Sequence, residues 1–267
     1  MAIQEYINTH QVFNIADLRS GNSLSTTNLN LLSRAVANGK LERVRKGLYV
    51  SKTGRFEGAV AEPYDVAMAA VDDAVFCCLS ALQLHGVLHN TIYWTQFYTR
   101  HHLPVFSYEG QRYIPIYNKR QNIDLDRVMT LRGGSYPVTS REQTVLDCLS
   151  NVNRAAGAEN LLRSVGGFAY LDVAQLLNLA ASYSAGTRAR LGWLLSVNKQ
   201  IWKVSDTQLL KLQTSIGAGP YYFGSKPTAS AAGSIAQSEA APKTTWQPTW
   251  RLYLPTEEEE MTAWLNH

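Results

Sequence analysis

The sequence predicts an α+β protein in which an N-terminal winged helix-turn-helix is followed by a mixed α/β region. Three observations support this fold class. Residues 1–50 contain three short helical patterns followed by a β-hairpin pattern. The hairpin lies in a basic segment, residues 34–55, with seven basic residues and one acidic residue. After residue 62, capped helical patterns alternate with strands rich in aromatic and β-branched residues.

The chain is expected to begin with two short helices. Ile3, Tyr6 and Ile7 have the i, i+3, i+4 spacing of one helix face, which predicts the first helix. Asn14 is a residue type that caps helices, so a second helix is expected to follow it. Residues 20–24, SGNSL, have the composition of a turn.

The third predicted helix is amphipathic. Ser25 is expected to cap it, and it covers residues 26–38 and stops at Gly39. Its inward stripe consists of Leu29, Leu32 and Val36. A second, polar face consists of Thr27, Asn30 and Arg34. The helix is therefore expected to bury one face and to present the other outward.

A basic hairpin follows this helix. Residues 41–50, LERVRKGLYV, predict a strand, a turn at Lys46-Gly47 and a second strand. In a winged helix-turn-helix, the second helix of the motif enters the major groove and the wing lies along the phosphates. The candidate phosphate ligands are Lys40, Arg43, Arg45, Lys46 and Lys52. Neutralising about five phosphates would make log affinity fall with log salt at a slope of about −4.5.

Base reading is assigned to the outward face of the third helix. The candidates are Thr26, Thr27, Asn28, Asn30 and Arg34. Asn side chains pair with adenine edges and Arg side chains with guanine. Two plainer explanations stand beside these assignments. A basic hairpin can be a solvated surface, and Thr or Asn near a helix start can serve only as capping residues.

The region after residue 62 alternates helices and strands. Pro63 is expected in the first turn of a helix, residues 74–79 in a buried strand, and Ser80 at a helix cap. Aromatic strands are expected at residues 91–99 and 112–118.

The C-terminal half is expected to be mainly helical. Capping-box patterns occur at Ser140 with Gln143 and at Ser205 with Gln208. Helices are expected over residues 144–149, 158–165, 171–183, 186–197 and 209–212. The last features are a Ser- and Ala-rich loop, a strand, and an acidic run before a C-terminal helix, at residues 224–245, 250–255 and 257–260.

Several of these stretches resemble one family. LNLLSRAVANGKLERVRKGLYV, residues 29–50, resembles the N-terminal winged-helix segment of AbiEi-family antitoxins. CLSALQLHGV, residues 78–87, resembles the start of that family's second domain. SREQTVLDCLS at 140–150, ARLGWLL at 189–195 and WRLYLP at 250–255 are similar to later segments of the family.

The resemblance implies a type IV antitoxin of an abortive-infection system. Such a protein represses its own operon by binding double-stranded DNA at inverted repeats in its promoter. It also counters a nucleotidyltransferase toxin of the AbiEii type, and a stable complex with that toxin is not required. Residues 1–55 would then be the DNA-binding domain and residues 62–267 the mixed α/β antitoxin domain. The family has no catalytic residues to carry over.

An enzymatic function is not expected. RGGS at 132–135 is similar to a nucleotidyltransferase turn, which needs a pair of acids about a dozen residues later to hold Mg²⁺. Asp147 stands at that distance without a second acid two residues away. Asp124 and Asp126 precede the glycines. No catalytic site is therefore assigned.

No metal site or cofactor is expected either. His85 and His89 are four residues apart, but Gly86 is expected to end the helix between them. Cys77 and Cys78 would alternate across a strand and are expected to be buried thiols.

The expected location is the cytoplasm, with no membrane partner. Three cysteines without close pairing suit a reducing compartment, and there is neither a signal-peptide pattern nor a long apolar window. Two alternatives stay open. The chain could be a winged-helix regulator whose C-terminal domain senses a small ligand, or an enzyme with a DNA-binding head.

Overall fold

The structure, a computed structural model, describes residues 3–18, 25–119, 122–224 and 244–266. The chain divides into two compact units. Unit 1 consists of Met1–Phe76, Tyr93–Arg120 and Met129–Tyr136, and unit 2 of Cys77–Ile92, Gln121–Val128 and Pro137–His267. Unit 1 extends past residue 55, and the domain division at residues 55–62 stays a prediction. The turn expected at 20–24 and nearly all of the loop expected at 224–245 lie outside the described residues.

Unit 1 begins with a winged helix. Its helical elements are α1 (Ile3–Thr9), a 3₁₀-helix (Ile15–Leu18) and α2 (Thr26–Ala37). Its strands are β1 (Val12–Asn14), β2 (Leu41–Arg45) and β3 (Leu48–Ser51). The strand β3 lies in the centre and is antiparallel to both neighbours. This arrangement confirms the N-terminal winged helix, with β2 and β3 as its wing.

The second predicted helix is shorter than expected. Asn14 ends strand β1, where it pairs with Leu48, and only one 3₁₀ turn follows it. Two side chains close that turn, because Asp17 accepts the Asn14 N–H at 2.8 Å and Asn14 Oδ1 accepts the Ala16 N–H at 3.0 Å. Asn14 therefore caps the residues that follow it, as predicted, but they form one 3₁₀ turn and not an α-helix.

The core of the winged helix contains one correction to the predicted helix face. Its buried residues are Ile7, Phe13, Leu32, Ala35 and Leu41, with Val36 packed against them. Leu29 was expected in the inward stripe and is 43% exposed. Ala35, three residues after Leu32, completes the buried face instead. The helix thus turns its first-turn leucine away from the core.

The rest of unit 1 is built on a sheet. It contains α3 (Pro63–Ala70), β4 (Val75–Phe76), β5 (Trp94–Thr99), β6 (Phe106–Tyr108) and β7 (Gln111–Tyr117). The strand order is β6-β7-β5-β4, in which β5 and β7 are parallel and the other pairs are antiparallel. Pro63 occupies the first turn of α3 as expected. The two aromatic strands are confirmed as β5 and β7.

The segment at 74–79 differs from its prediction. Only Val75–Phe76 form a strand, and helix α4 (Cys78–Leu84) begins with Cys77 as its N-cap. The predicted cap at Ser80 was therefore wrong, because Ser80 lies inside α4. Cys78 adopts a φ of 51°, which turns the chain out of the strand. A short, fully buried apolar run fits a helix as well as a strand, and its sequence does not distinguish them.

Unit 2 is mainly helical. Helix α4 belongs to this unit, and the strands β8 (Leu125–Met129) and β9 (Ser135–Thr139), most of whose residues also belong to it, follow. The next helices are α5 (Arg141–Ser150), α6 (Ala158–Gly166), α7 (Val173–Ala180), α8 (Ala185–Val197) and α9 (Asp206–Ser215). The last elements are β10 (Tyr221–Tyr222), β11 (Thr245–Gln247), β12 (Leu252–Leu254) and α10 (Glu258–Leu265). The predicted C-terminal helices and the last strand are confirmed.

The two capping patterns differ in detail. Ser205 and Gln208 form both hydrogen bonds of a capping box at the start of α9. Ser140 accepts the Gln143 N–H at 3.1 Å, but the Ser140 N–H donates to the Asp124 carbonyl and not to the Gln143 side chain. The Gln143 amide donates to Asp147 and Tyr183 instead. In the described part of the chain, every helix is too short or too polar to span a bilayer.

Candidate nucleic-acid interface

Local hydrogen bonds fix both ends of α2. The Ser25 hydroxyl accepts the Asn28 N–H at 3.2 Å, which satisfies a free donor of the first turn. At the other end, Gly39 has a φ of 68°, and the Lys40 N–H donates to the Ala35 carbonyl at 2.9 Å. This left-handed glycine ends the helix and directs the chain into β2.

The outward face of α2 carries the predicted base-reading residues. Thr26, Thr27, Asn30 and Arg34 are exposed, and Asn28 is half-buried. Leu29 and Leu31 are 43% and 45% exposed beside them. Neither leucine is among the residues that the sequence predicts to contact bases. For Leu31 the signal was present, since it lies four residues after Thr27 and outside the inward stripe. Apolar side chains in such positions can contact thymine methyl groups.

A β-bulge separates the arginines of the wing. Strands β2 and β3 pair Arg43 with Tyr49 and Arg45 with Leu48, so one extra residue stands between the two arginines. Successive residues of a strand lie on opposite faces, and the bulge therefore places Arg43 and Arg45 on opposite faces of the wing. Arg43 is exposed and Arg45 is half-buried.

The tip of the wing is basic and exposed. Lys46 and Gly47 form the turn between β2 and β3, with Lys46 exposed and Gly47 at a φ of 84°. Lys40, at the start of the wing, is also exposed. Among the described residues, Lys40, Arg43 and Lys46 have no ion-pair partner. These three cations are available to phosphates.

Arg45 has a partner inside the protein. Its guanidinium lies 5.3 Å from the centre of the Phe106 ring, which is in strand β6. Its Nη1 atom is buried and has no hydrogen-bond acceptor among the described residues. The sequence alone could not connect Arg45 with Phe106, which is 61 residues away.

Lys52 is held by acidic and aromatic groups. Its Nζ atom lies 3.3 Å from a carboxylate oxygen of Glu42 and 3.3 Å from one of Glu109. It also lies 5.9 Å from the centre of the Tyr108 ring. Burial by itself lowers the pKa of Lys52, but hydrogen bonds with Tyr108, Glu109 and Glu42 outweigh it and raise that pKa above its ordinary value. The charge of Lys52 is therefore permanent and locally neutralised.

Three residues considered above for a catalytic or metal site form hydrogen bonds within the protein. Asp147 is buried and accepts a hydrogen bond of 2.6 Å from the Tyr183 hydroxyl. Asp124 accepts from the Gln175 amide. The His85 ring nitrogen Nε2 bonds the Thr139 carbonyl at 2.8 Å.

One cluster of possible metal ligands was missed in the sequence. Asp72, Asp73 and His101 place a ligand atom each within 4.8 Å of one another. However, the Asp73 carboxylate already accepts from the Thr99 hydroxyl and from the Arg100 N–H at 2.8 Å. These bonds lower the pKa of Asp73 against the opposing effect of burial. The third side chain, His101, lies at the surface with Nε2 3.3 Å from an Asp72 carboxylate oxygen.

Comparison with known proteins connects the winged helix to regulators. Residues 1–52 match the family model described as transcriptional regulator, AbiEi antitoxin. The match covers the winged helix with its basic wing, so this segment is similar to the corresponding segment of AbiEi antitoxin regulators.

The comparison with solved structures concerns the fold alone. The chain is similar to the crystal structure of the RV2827C protein from Mycobacterium tuberculosis, with a TM-score of 0.64 and 13% sequence identity. The alignment covers 98% of this chain and 91% of that one. None of the curated proteins compared with this chain matches it.

Proposed function

We propose that this chain, whose N-terminal segment matches AbiEi antitoxin regulators, is a DNA-binding autorepressor and a type IV antitoxin. One observation carries the proposal. Three cations of the wing, Lys40, Arg43 and Lys46, have no ion-pair partner in the described part of the chain and follow a capped helix with an exposed polar face. A winged helix binds duplex DNA with these two elements.

The two elements have different tasks in the proposal. Helix α2 enters the major groove, where Asn30 and Arg34 can form bidentate hydrogen bonds with adenine and guanine. Thr26, Thr27 and Asn28, in the first turn, supplement these contacts. The wing follows the backbone, and its cations supply the affinity that does not depend on sequence and falls with salt.

The repressor half is tested by a gel-shift titration. Purified protein is titrated against the DNA upstream of its own gene and against scrambled DNA, at two salt concentrations. The proposal expects tight binding that depends on both sequence and salt. Equal affinity for both DNAs at both salt concentrations would contradict it. The double variant Arg43→Gln/Lys46→Gln is the control, since both side chains are exposed and their loss leaves the fold intact.

The antitoxin part of the proposal involves a partner protein. The chain counters a nucleotidyltransferase toxin of the AbiEii type, without a requirement for a stable complex and without an enzymatic step of its own. We place this activity in the cytoplasm, which suits three free, buried cysteines. Co-expression with the neighbouring toxin gene is the test, and restored growth is the expected result. The Arg43→Gln/Lys46→Gln variant should lose repression and retain this protection, whereas continued toxicity with the wild-type chain would remove the antitoxin half.

A second candidate function is regulation by a small ligand, and one cavity in unit 2 favours it. The cavity has a volume of about 220 Å³ and is lined by Leu177, Ala181, Arg188, Lys211, Leu212 and Ser215. Arg188 donates to the Ser215 carbonyl at 2.9 Å and to the Tyr183 carbonyl, while its Nε atom is buried without an acceptor among the described residues. Two cations between apolar walls suit a small organic anion.

This candidate is tested with benzoate as the probe and benzyl alcohol as its neutral analogue. Binding is measured by calorimetry on the full chain. If the chain senses a small anion, benzoate should bind and Lys211→Gln should weaken that binding. Benzoate should also change the affinity of the chain for promoter DNA. If benzoate leaves DNA affinity unchanged, this candidate fails and the antitoxin proposal stands.

A further inference from the structure

Part of unit 1 outside the family match contacts the wing. We call this contact the wing clamp. It consists of Glu42, Arg45 and Lys52 on the wing side and of Phe106, Tyr108 and Glu109 on the β6–β7 hairpin. All six residues belong to unit 1. The hairpin residues lie more than 50 positions beyond the matched segment, residues 1–52.

The aromatic half of the clamp packs against the neighbouring strand β7. The Phe106 ring stacks on the Tyr113 ring with their centres 4.6 Å apart and an angle of 3° between their planes. Phe106 and Tyr113 are also direct cross-strand partners in the antiparallel pair β6–β7. The ring that faces the Arg45 guanidinium therefore has a fixed position. A guanidinium over such a ring is attracted by the negative face of the ring.

The polar half of the clamp is a closed network. The Tyr108 hydroxyl donates to Glu42 at 2.9 Å, and Lys52 lies between the Glu42 and Glu109 carboxylates. Two carboxylates around one ammonium leave a local charge of about −1. A phosphate that approached Lys52 would meet both carboxylates. Phosphate binding there is consequently unfavourable.

The geometry points to a division of labour within the basic segment. We propose that the wing clamp sets the position of the wing on DNA, and that Arg45 and Lys52 are positioning residues and not phosphate ligands. Phosphate contact then falls to Lys40, Arg43 and Lys46. The β-bulge between Arg43 and Arg45 makes this division possible, because it directs one arginine outward and the other to Phe106. The proposal rests on the DNA-binding function proposed above.

A first experiment tests the clamp without DNA. Hydrogen exchange of the full-length chain is compared between wild type and Phe106→Leu, which keeps an apolar side chain and removes the ring. If the clamp holds the wing in place, the amides of β2 and β3 should exchange faster in Phe106→Leu than in the wild-type chain. Tyr117→Leu is the matched control, since Tyr117 is an aromatic residue of the neighbouring strand β7 and is 42% exposed. Unchanged exchange in Phe106→Leu would overturn the clamp.

A second experiment tests what the clamp does for binding. Promoter affinity is measured by fluorescence anisotropy over a series of salt concentrations for Arg45→Gln, Phe106→Leu and Lys46→Gln. Arg45→Gln and Phe106→Leu should each weaken binding about three- to tenfold at every salt concentration, with the salt slope unchanged. Lys46→Gln should reduce the magnitude of the slope by about 0.9. The double variant Arg45→Gln/Phe106→Leu should bind no more weakly than either single variant.

The outcomes separate the two proposals. A slope reduced by about 0.9 in Arg45→Gln, with normal affinity in Phe106→Leu, would make Arg45 a phosphate ligand and overturn the division of labour. If the wild-type chain binds promoter DNA no better than scrambled DNA, the proposed function fails instead. The positioning role then fails with it, while the exchange experiment still decides whether the clamp exists.

Discussion

At the scale of single residues, the environment of each charged or polar group decides its task. Lys46 and Lys52 are both lysines of the basic segment, but only Lys52 lies between two carboxylates. His85 and His102 differ in the same way. His85 is half-buried and bonds the Thr139 carbonyl, whereas His102 is exposed. A shared residue type therefore does not imply a shared role.

His85 makes stability depend on pH. Burial lowers the pKa of His85, and the hydrogen bond to the Thr139 carbonyl opposes this only in part. Between the lowered folded pKa and the unfolded value of about 6.5, the unfolded chain binds more protons. The stability contribution of His85 is thus fully present above about pH 6.5 and is lost as the pH falls through the folded pKa.

The variant that tests this role is His85→Gln. Its side-chain amide can donate to the Thr139 carbonyl in place of the imidazole ring, and it does not titrate. Urea unfolding at about pH 7.5 and about pH 5 should show a smaller loss of stability in this variant than in the wild-type chain. His102→Gln is the control. An equal loss in wild type and His85→Gln would contradict the role assigned to His85.

The three cysteines are expected to be unreactive in the folded chain. Cys77, Cys78 and Cys148 are all buried. Burial raises the pKa of Cys77, and a hydrogen bond with Cys78 together with burial raises that of Cys148. Because the thiolate is the reactive form, a thiol reagent such as Ellman's should label none of them quickly in the native protein. All three should react in denaturing guanidinium chloride, and rapid labelling of the native chain would contradict their burial.

At the scale of elements, helix α2 and the wing should respond differently to substitution. Asn30→Ala removes a side chain proposed to read bases and should change which sequences bind best. Lys46→Gln removes a proposed phosphate contact and should weaken all sequences alike while reducing the slope of log affinity against log salt by about 0.9. Selection of binding sites from a random DNA pool, followed by salt titrations, measures both effects. An unchanged preference in Asn30→Ala would remove Asn30 from the interface.

Helix α8 contains a glycine that the packing requires. A Cβ atom on Gly192 would lie 2.1 Å from Trp250 Cζ3, and Trp250 is buried. Alanine is the better helix former by about 1 kcal/mol, but overpacking typically costs about 1–3 kcal/mol. We therefore expect Gly192→Ala to lower the free energy of unfolding despite its helix propensity.

The control for this prediction lies in the same helix. A Cβ on Gly186 would meet Tyr221 Cδ1 at 3.4 Å, an ordinary contact distance. Gly186→Ala should therefore leave stability unchanged or raise it by up to about 1 kcal/mol. Guanidinium titrations of both variants provide the comparison. A stabilised Gly192→Ala chain would show that Trp250 can move away from α8.

At the scale of the whole molecule, the net positive charge of the basic segment is larger than the charge that can contact DNA phosphates. The chain has a net charge of +4, and residues 34–55 hold seven basic residues against one acidic residue. Arg45 and Lys52 have partners inside unit 1, Arg55 donates to the Thr9 carbonyl, and Arg34 is proposed to read bases. In the proposal, Lys40, Arg43 and Lys46 then remain for the phosphates. Three contacts predict a salt slope of about −2.7 for each bound chain, whereas five would give about −4.5. A measured slope near −4.5 would return Arg45 and Lys52 to the interface.

Much of the winged helix could be predicted because its signals are local. Ser25, Gly39 and the Lys46-Gly47 turn act through hydrogen bonds and backbone angles within a few residues. The errors fell where distant residues compete with such signals. Burial started helix α4 at Cys78, before the cap expected at Ser80, and Ala35 took the place expected for Leu29 in the core.

The sequence by itself determined that this protein has a winged helix with a capped amphipathic helix and a basic wing, since caps, glycines and helical spacing act over short range. Only the tertiary structure decided which of the basic residues are free. Phe106, Tyr108 and Glu109 neutralise or shield cations more than 50 positions away in sequence. A side chain's partner depends on where the fold brings distant strands together, and no local pattern around Arg45 or Lys52 contains that information.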